Sequence, residues 1–207
     1  MFSVLKKESS FLFLLTIIVF ISCLILIIKE MKIQNTEAKI LDVPAENLIY
    51  LKLKYGVVVI QTFPDVAPKT VKRIKELTRQ GFYNNNAFFR VIEGFVAQTG
   101  DPSNTGRGGS GKNLNAEFSK ISHKRGIVSM ARATDINSAD SQFFIVLQDS
   151  EFLDGKYTVW GKVISGMEFV DEIKKAKTGE NGIVNEPDKI VSMVLAKDVE
   201  KGMKNKK

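Results

Sequence analysis

One stretch narrows the choice of folds more than any other. Phe88-Phe89-Arg90-Val91-Ile92-Glu93-Gly94-Phe95-Val96-Ala97-Gln98-Thr99-Gly100-Asp101 sets a single arginine among apolar and aromatic residues. It reads as two short strands joined by turn chemistry at Glu93-Gly94. Side chains alternate along a strand, so Phe88, Arg90 and Ile92 are expected on one face, with Val96 and Gln98 together after the turn. A cation and an amide then stand in an apolar wall. Alone, the pattern fits equally well a strand pair whose Arg90 faces water. Ser141-Gln142-Phe143-Phe144-Ile145-Val146-Leu147 shifts the balance, because it too sets a glutamine among aromatics in a strand-like run. Polar groups so placed serve a pocket.

Around these two stretches the chain alternates short strands with two helices. Leu48–Lys54 and Val57–Ile60 flank Tyr55-Gly56 as a hairpin. A helix is expected from Pro68 to Gln80: proline suits a first turn, Val71, Ile74 and Leu77 form an apolar stripe, and Gly81 ends it. Further strands are expected at 126–132, 142–147, 158–163 and 189–196. A second helix over 167–177 would bury Phe169, Val170 and Ile173. Many short strands with two helices imply a closed or nearly closed β-barrel capped by helices.

The chain of 207 residues leaves room for an appendage, and it lies at the front. Phe11 to Ile28 is an 18-residue run interrupted only by Thr16, Ser22 and Cys23. As a helix it would span ~27 Å, close to a bilayer's hydrocarbon thickness. Lys6 and Lys7 precede it, Lys29 and Lys32 follow, and Ile28-Lys29-Glu30-Met31 is a poor processing site. The reading is therefore an uncleaved signal-anchor, with the tail and anchor in residues 1–28 and a charged linker in 29–47. The positively charged tail favours staying cytoplasmic, which puts the domain outside the cytoplasm. That means the periplasm if the source is a Gram-negative bacterium. Residues 200–207 read as a basic, solvated tail. Although the net charge is +7, no aromatics interleave with the terminal lysines, so nucleic acid is not an expected partner.

Two motifs are set aside. Gly106-Arg107-Gly108-Gly109-Ser110-Gly111-Lys112-Asn113 imitates a phosphate loop, but Asn113 stands where a magnesium-binding hydroxyl belongs. Neither a buried strand before it nor a strong helix after it aims backbone N–H groups at phosphate. It reads instead as a flexible loop bordering a pocket. His123, in the basic turn Ser122-His123-Lys124-Arg125-Gly126, is expected in solvent. With one histidine and one cysteine, a zinc site is out of reach, and a Ser-His-Asp triad is nearly as hard to assemble.

Four blocks in order then resemble the cyclophilins, a family of peptidyl-prolyl cis-trans isomerases. They are Phe88–Gln98, Gly126–Arg132, Ser141–Ile145 and Phe152–Val163, and the similarity runs over about 48–199. The run from Met130 to Phe144 looks like the bacterial branch. The resemblance implies a closed eight-stranded antiparallel barrel capped by two helices, no cofactor and no metal. It also implies a monomeric domain whose partners are proline-containing polypeptides.

Carried over, the catalytic arginine is Arg90, beside Phe95 and Gln98. Phe95, Val96, Phe144, Leu153 and Tyr157 would form the proline pocket. Ala131, Arg132 and Gln142 would line the groove for the peptide backbone, and Phe152 would stand where many relatives carry tryptophan. Relatives with that tryptophan bind cyclosporin well, which Phe152 is not equipped to do. Phe89, Val96 and Tyr157 also depart from frequent family residues, histidine, methionine and histidine respectively. The competing reading is a non-catalytic cyclophilin-like module that grips proline segments as a chaperone or assembly subunit. An intact Arg90, Phe95 and Gln98 favour the enzyme.

Overall fold

The computed structural model describes residues 2–177 and 181–204, with side chains in the first helix described for 17–31, 33–35, 38, 40 and 41. The chain divides into two compact units, Met1–Asp42 and Val43–Lys207.

The first unit is one helix, α1 (Phe2–Leu41). It continues through most of the residues expected to form a linker. Among the described residues no helix is long and apolar enough to cross a membrane. The expected span from Phe11 to Ile28 takes in residues 11–16, whose side chains lie outside those described.

The second unit is built on eight strands: β1 (Leu48–Lys52), β2 (Val57–Thr62), β3 (Arg90–Ile92), β4 (Val96–Thr99), β5 (Ile127–Met130), β6 (Phe143–Val146), β7 (Val159–Ser165) and β8 (Ser192–Leu195). They form one antiparallel sheet in the order β3-β4-β6-β5-β7-β2-β1-β8, curled into a half-barrel. Register shifts at Val59/Ile60 and Val128/Ser129 add local bend. Among the described residues the edges β3 and β8 share no ladder. Between them lies the segment 181–191, where Phe88 N–H donates to Asp188 O (2.8 Å), Val91 N–H to Gly182 O (2.7 Å) and Val184 N–H to Phe89 O (3.0 Å).

Helix α2 (Pro68–Arg79) begins at its proline and buries Val71, Ile74 and Leu77 as its stripe dictates. Each such side chain contributes about 1.5–3 kcal/mol on leaving water. Its first turn is capped from a distance: the Glu117 carboxylate accepts from Lys69 N–H (3.0 Å), Thr70 N–H (2.9 Å) and the Thr70 hydroxyl (2.7 Å). Gly81, at φ 69°, supplies the left-handed turn that ends it.

Helix α3 (Met167–Asp171) is shorter than expected. Lys174 N–H turns to the Asp188 carboxylate (2.9 Å) and Ala176 N–H to Val91 O (3.1 Å), so the bonds that would have extended the helix go elsewhere. Of the apolar positions expected to be buried, Val170 and Ile173 are, while Phe169 is only half-buried and packs against the core. The C-terminal segment forms a helix, α4 (Ala196–Lys204), where a solvated tail was expected from residue 200. Arg79 Nε pairs with Asp198 at 2.9 Å and ties it to α2.

Strand alternation splits the apolar residues into two clusters. The larger fills the half-barrel and takes Val91, Ala97, Val128, Met130, Phe143, Ile145 and Trp160. The smaller lies on the opposite face and takes Val96, Ile127, Phe144, Val146, Leu153 and Val159, with Phe95, Ala131 and Tyr157 packed against it. Both faces of β4, β5 and β6 are thus covered, and the second face carries the candidate site.

Candidate functional site

Arg90 and Gln98 meet because β3 and β4 pair through the turn at Gly94, which stands at φ 67°. In that register Arg90 lies opposite Gln98 and Ile92 opposite Val96, and Gln98 in turn lies opposite Phe144 of β6. Phe88 does not share their face. It precedes β3, outside the strand ladder, and it is fully buried in the large core that also takes Val91.

A chain of hydrogen bonds holds the arginine. Gln142 Nε2 donates to Gly106 O (3.0 Å) and Gly108 O (2.8 Å). Gln98 Nε2 donates to Gln142 Oε1 at 3.0 Å, and Arg90 Nη1 donates to Gln98 Oε1 at 3.3 Å. The order is forced by chemistry. Peptide carbonyls only accept, so Gln142 must turn its NH₂ to them and its oxygen to Gln98. Gln98 must then turn its own oxygen to Arg90. Two backbone carbonyls of a glycine-rich loop thereby set how the guanidinium is held.

That loop is built by two carboxylates. Asp101 is fully buried and accepts from Ser103 N–H (2.7 Å), the Ser103 hydroxyl (2.7 Å), Thr105 N–H (3.0 Å), Gly106 N–H (2.7 Å) and Gly108 N–H (3.1 Å). Burial alone would push the Asp101 carboxyl up. The hydrogen bonds from Ser103, Gly108 and Gly106 outweigh it and hold the group below the ordinary carboxylate range. Asp140 accepts from Gly111 N–H at 2.8 Å and from the Ser110 hydroxyl. A Cβ on Gly108 would run into Asp101, and one on Gly109 into Asp140. The glycines let carboxylates of this chain approach the backbone, which is why they imitate a phosphate cradle. The loop borders a cavity as expected, but it is pinned rather than loose.

The apolar part of the site gathers Phe95, Val96, Phe144, Leu153 and Tyr157 on one face. Phe144 and Tyr157 meet edge to face at 5.6 Å, and Phe152 lies 5.4 Å from Phe95 with 62% of its surface exposed. Arg132 stacks over Tyr157 at 5.1 Å, and its guanidinium is spent on Lys156 O, Ala133 O and Thr134 O. Beside Gln98 opens a cavity of about 360 Å³ lined by Ala131, Arg132, Gln142, Asn113, Ser138 and the loop glycines. Of the residues expected at the site, Gln98, Ala131, Arg132 and Gln142 line the polar cavity, Arg90 bonds to Gln98, and Phe95, Val96, Phe144, Leu153 and Tyr157 gather in one apolar cluster with Phe152 against Phe95.

His123 corrects the sequence reading. It is fully buried, not in solvent, because both ring nitrogens find partners inside: Nδ1 meets Asp154 Oδ1 at 2.8 Å and Nε2 meets the Ser129 hydroxyl at 3.0 Å. Lys124 and Arg125 carry the turn's exposed charge, Lys124 on Asp149 and Glu151, and Arg125 forked onto Asp171 at 2.9 and 2.5 Å. The backbone N–H of His123, reinforced by its ring, holds the Asp154 carboxyl below its usual range. Partners 6 and 31 residues away left no local signal in the sequence.

Comparison with known proteins agrees with this geometry. The model of the cyclophilin type peptidyl-prolyl cis-trans isomerase family matches residues 48–195. A probable peptidyl-prolyl cis-trans isomerase of Brucella abortus is 51% identical over 165 residues, which is 74% of this chain and 84% of that protein. A peptidyl-prolyl cis-trans isomerase-like protein of Rattus norvegicus is 43% identical, covering 64% of this chain and 84% of its own. Among solved structures, the cyclophilin AquaCyp293 of Hirschia baltica superposes with a TM-score of 0.68 at 28% identity, over 75% of this chain and 76% of that one. A cyclophilin type isomerase of Cryptosporidium parvum, crystallised in the presence of the dipeptide Ala-Pro, gives 0.65 at 29% identity, over 72% and 98%.

Proposed function

We infer, from the premise that this chain belongs to the cyclophilin-type peptidyl-prolyl cis-trans isomerases, that Arg90 is the group which lowers the barrier to X-Pro rotation. The chain is a peptidyl-prolyl cis-trans isomerase that assists folding. The roles of individual residues are our reading, and one observation carries it. Arg90 is held at 3.3 Å by a Gln98 whose amide orientation is fixed, on the face that also carries Phe95, Phe144 and Tyr157.

The chemistry asks for little else. An X-Pro bond resists rotation by ~18–20 kcal/mol because amide resonance must be broken. As the bond twists, the proline nitrogen regains a lone pair, and a guanidinium can donate to it. That bond is absent from the planar ground state, so it stabilises the transition state selectively. Arginine suits the role because it stays charged in an apolar wall and has donors to spare after Gln98. Phe95, Val96, Phe144, Leu153 and Tyr157 would hold the ring while the preceding carbonyl turns, with Ala131, Arg132 and Gln142 along the peptide backbone. Uncatalysed exchange takes tens to hundreds of seconds. A turnover of ~10³ s⁻¹ needs roughly 10⁵-fold, ~7 kcal/mol. A charge-assisted hydrogen bond contributes only ~1.5–3 kcal/mol net, so desolvation and orientation in the pocket supply the rest.

Arg90→Ala tests the assignment: kcat for a proline peptide should fall roughly ten- to a hundredfold while peptide affinity changes little. A variant that loses affinity and keeps its turnover would refute it.

The setting of the enzyme belongs to the same proposal. It is a bacterial form of the family, anchored by the run from Phe11 to Ile28 with its domain outside the cytoplasm. The anchoring is supported by the 18-residue apolar length, free of charged residues, and by the flanking lysines. The full-length chain should resist extraction from membranes by high salt and by alkali, while a chain starting near Lys29 should be released. Release of the full-length chain by salt alone would replace a spanning helix with electrostatic attachment.

A further inference from the structure

Beneath the apolar pocket lies a polar arrangement that the isomerase mechanism does not use. Ser129, His123 and Asp154 are spaced like a nucleophile, base and acid, 3.0 Å and 2.8 Å apart. They cannot serve as one. Ser129 is fully buried within β5, paired with Phe144 on one side and Val159 on the other, so no carbonyl group reaches its hydroxyl.

What the three residues do is join the segments that build the pocket wall. Asp154 follows Leu153 and precedes Tyr157. Its Oδ1 accepts both the ring N–H and the backbone N–H of His123, the latter at 2.7 Å, while Ser150 N–H returns to His123 O at 2.9 Å. The imidazole thus fixed lies stacked on Phe144 at 6.3 Å and 22°, and edge-on to Tyr157 at 6.4 Å and 79°. A phenyl ring in this place could turn and slide. An imidazole bonded at both nitrogens cannot.

We propose that the Asp154–His123–Ser129 chain is a positioning device for the pocket: it locks the plane of the His123 ring and, through it, the place of the Phe144–Tyr157 wall that grips proline. The inference rests on the isomerase reading of the groove. Asp154, His123 and Ser129 are positioning residues, acting through the wall and not on the peptide.

The pocket holds the proline ring in the planar and the twisted state alike, so loosening its wall weakens binding in both and leaves turnover alone. In the full-length chain, Asp154→Ala should weaken affinity for an Ala-Pro peptide about tenfold with kcat within about twofold. Asp154→Asn should recover most of the loss, since its amide oxygen still accepts from both donors. His123→Phe, which keeps a ring and removes the bonds, should bind as poorly as Asp154→Ala.

The chain has one histidine, so its imidazole signals are read by NMR without ambiguity. The Nδ1 proton should be visible, lost in Asp154→Ala, kept in Asp154→Asn, and shifted when peptide saturates the groove. Wild-type affinity in His123→Phe, no rescue by asparagine, a fall in kcat equal to the fall in affinity, or an imidazole that ignores the peptide would each overturn the proposal. If the wild-type chain binds peptide without turning it over, the isomerase reading fails instead. Affinity and the imidazole signal still decide this inference.

Discussion

Cutting the amide chain behind Arg90 gives the sharpest account of how the arginine is held. Consider Gln142→Leu, which keeps the side-chain volume and removes both ends of the link between the glycine loop and Gln98. Gln98 Nε2 then loses the 3.0 Å acceptor that fixes its orientation. A neutral hydrogen bond contributes about 1 kcal/mol net, so kcat should fall roughly fivefold. Gln98→Leu goes further, removing the acceptor of Arg90 and stranding Gln142 Oε1. About 2 kcal/mol, or roughly thirtyfold, is expected. The decisive variant carries both changes. Once Gln98 is gone Gln142 has nothing to orient, so the double variant should turn over no more slowly than Gln98→Leu alone, a coupling of about 1 kcal/mol. The assay is exchange of a proline peptide under saturation, which separates kcat from any backbone contact Gln142 makes to substrate, with thermal midpoints as a check on the loop. Losses that simply multiply, to roughly 150-fold, would refute the chain as the route by which Arg90 is held.

Two further outcomes follow from side chains already described. Phe152 stands exposed beside Phe95 and carries no donor, whereas an indole N–H could meet a drug carbonyl at a worth of about 1–3 kcal/mol. Phe152→Trp should therefore tighten cyclosporin inhibition by roughly ten- to a hundredfold with peptide turnover within a few-fold, and unchanged inhibition would move Phe152 off the groove. The second concerns acid. Asp101 is held below its usual range, so its contribution to stability is whole above the unfolded value of about 4 and is lost as pH falls through the lower folded value. The thermal midpoint should be flat from pH 7 to 5 and drop below about 4. Asp101→Asn should lower it at neutral pH and flatten the acid slope, and an unaltered slope would show that other carboxylates set it.

The parts of the site legible in the sequence were those whose partners are fixed by period-two alternation and a short turn. Arg90 and Gln98 fell opposite each other, and Phe144 and Val146 shared a face, because a strand leaves side chains no other choice. Phe88 broke the pattern because alternation holds only inside a strand, and the strand begins two residues later. The positions supplied by the family resemblance, Leu153 and Tyr157 among them, came from motif order and not from local physics. Long-range pairings stayed hidden. Nothing near Asp101 announces that it will collect six donors from its own loop, and nothing near His123 points to Asp154. The early stop of α3 belongs with these, since it is decided by Asp188 and Val91.

The sheet order also bears on how this protein is made. β1, near the start of the domain, is laddered between β2, its neighbour in sequence, and β8, near the domain's end, with Ile49 opposite Leu195. On the ribosome the first hairpin can form early, but one edge of β1 stays unpaired until nearly the whole domain has been synthesised. Closing so long a loop is entropically expensive, so folding should be slow for a domain of this size, with docking of β8 as a late event. Until then β1 offers a bare edge flanked by apolar residues, the kind of surface that invites pairing with another nascent chain. An enzyme that speeds the maturation of other proteins thus has a vulnerable interval of its own.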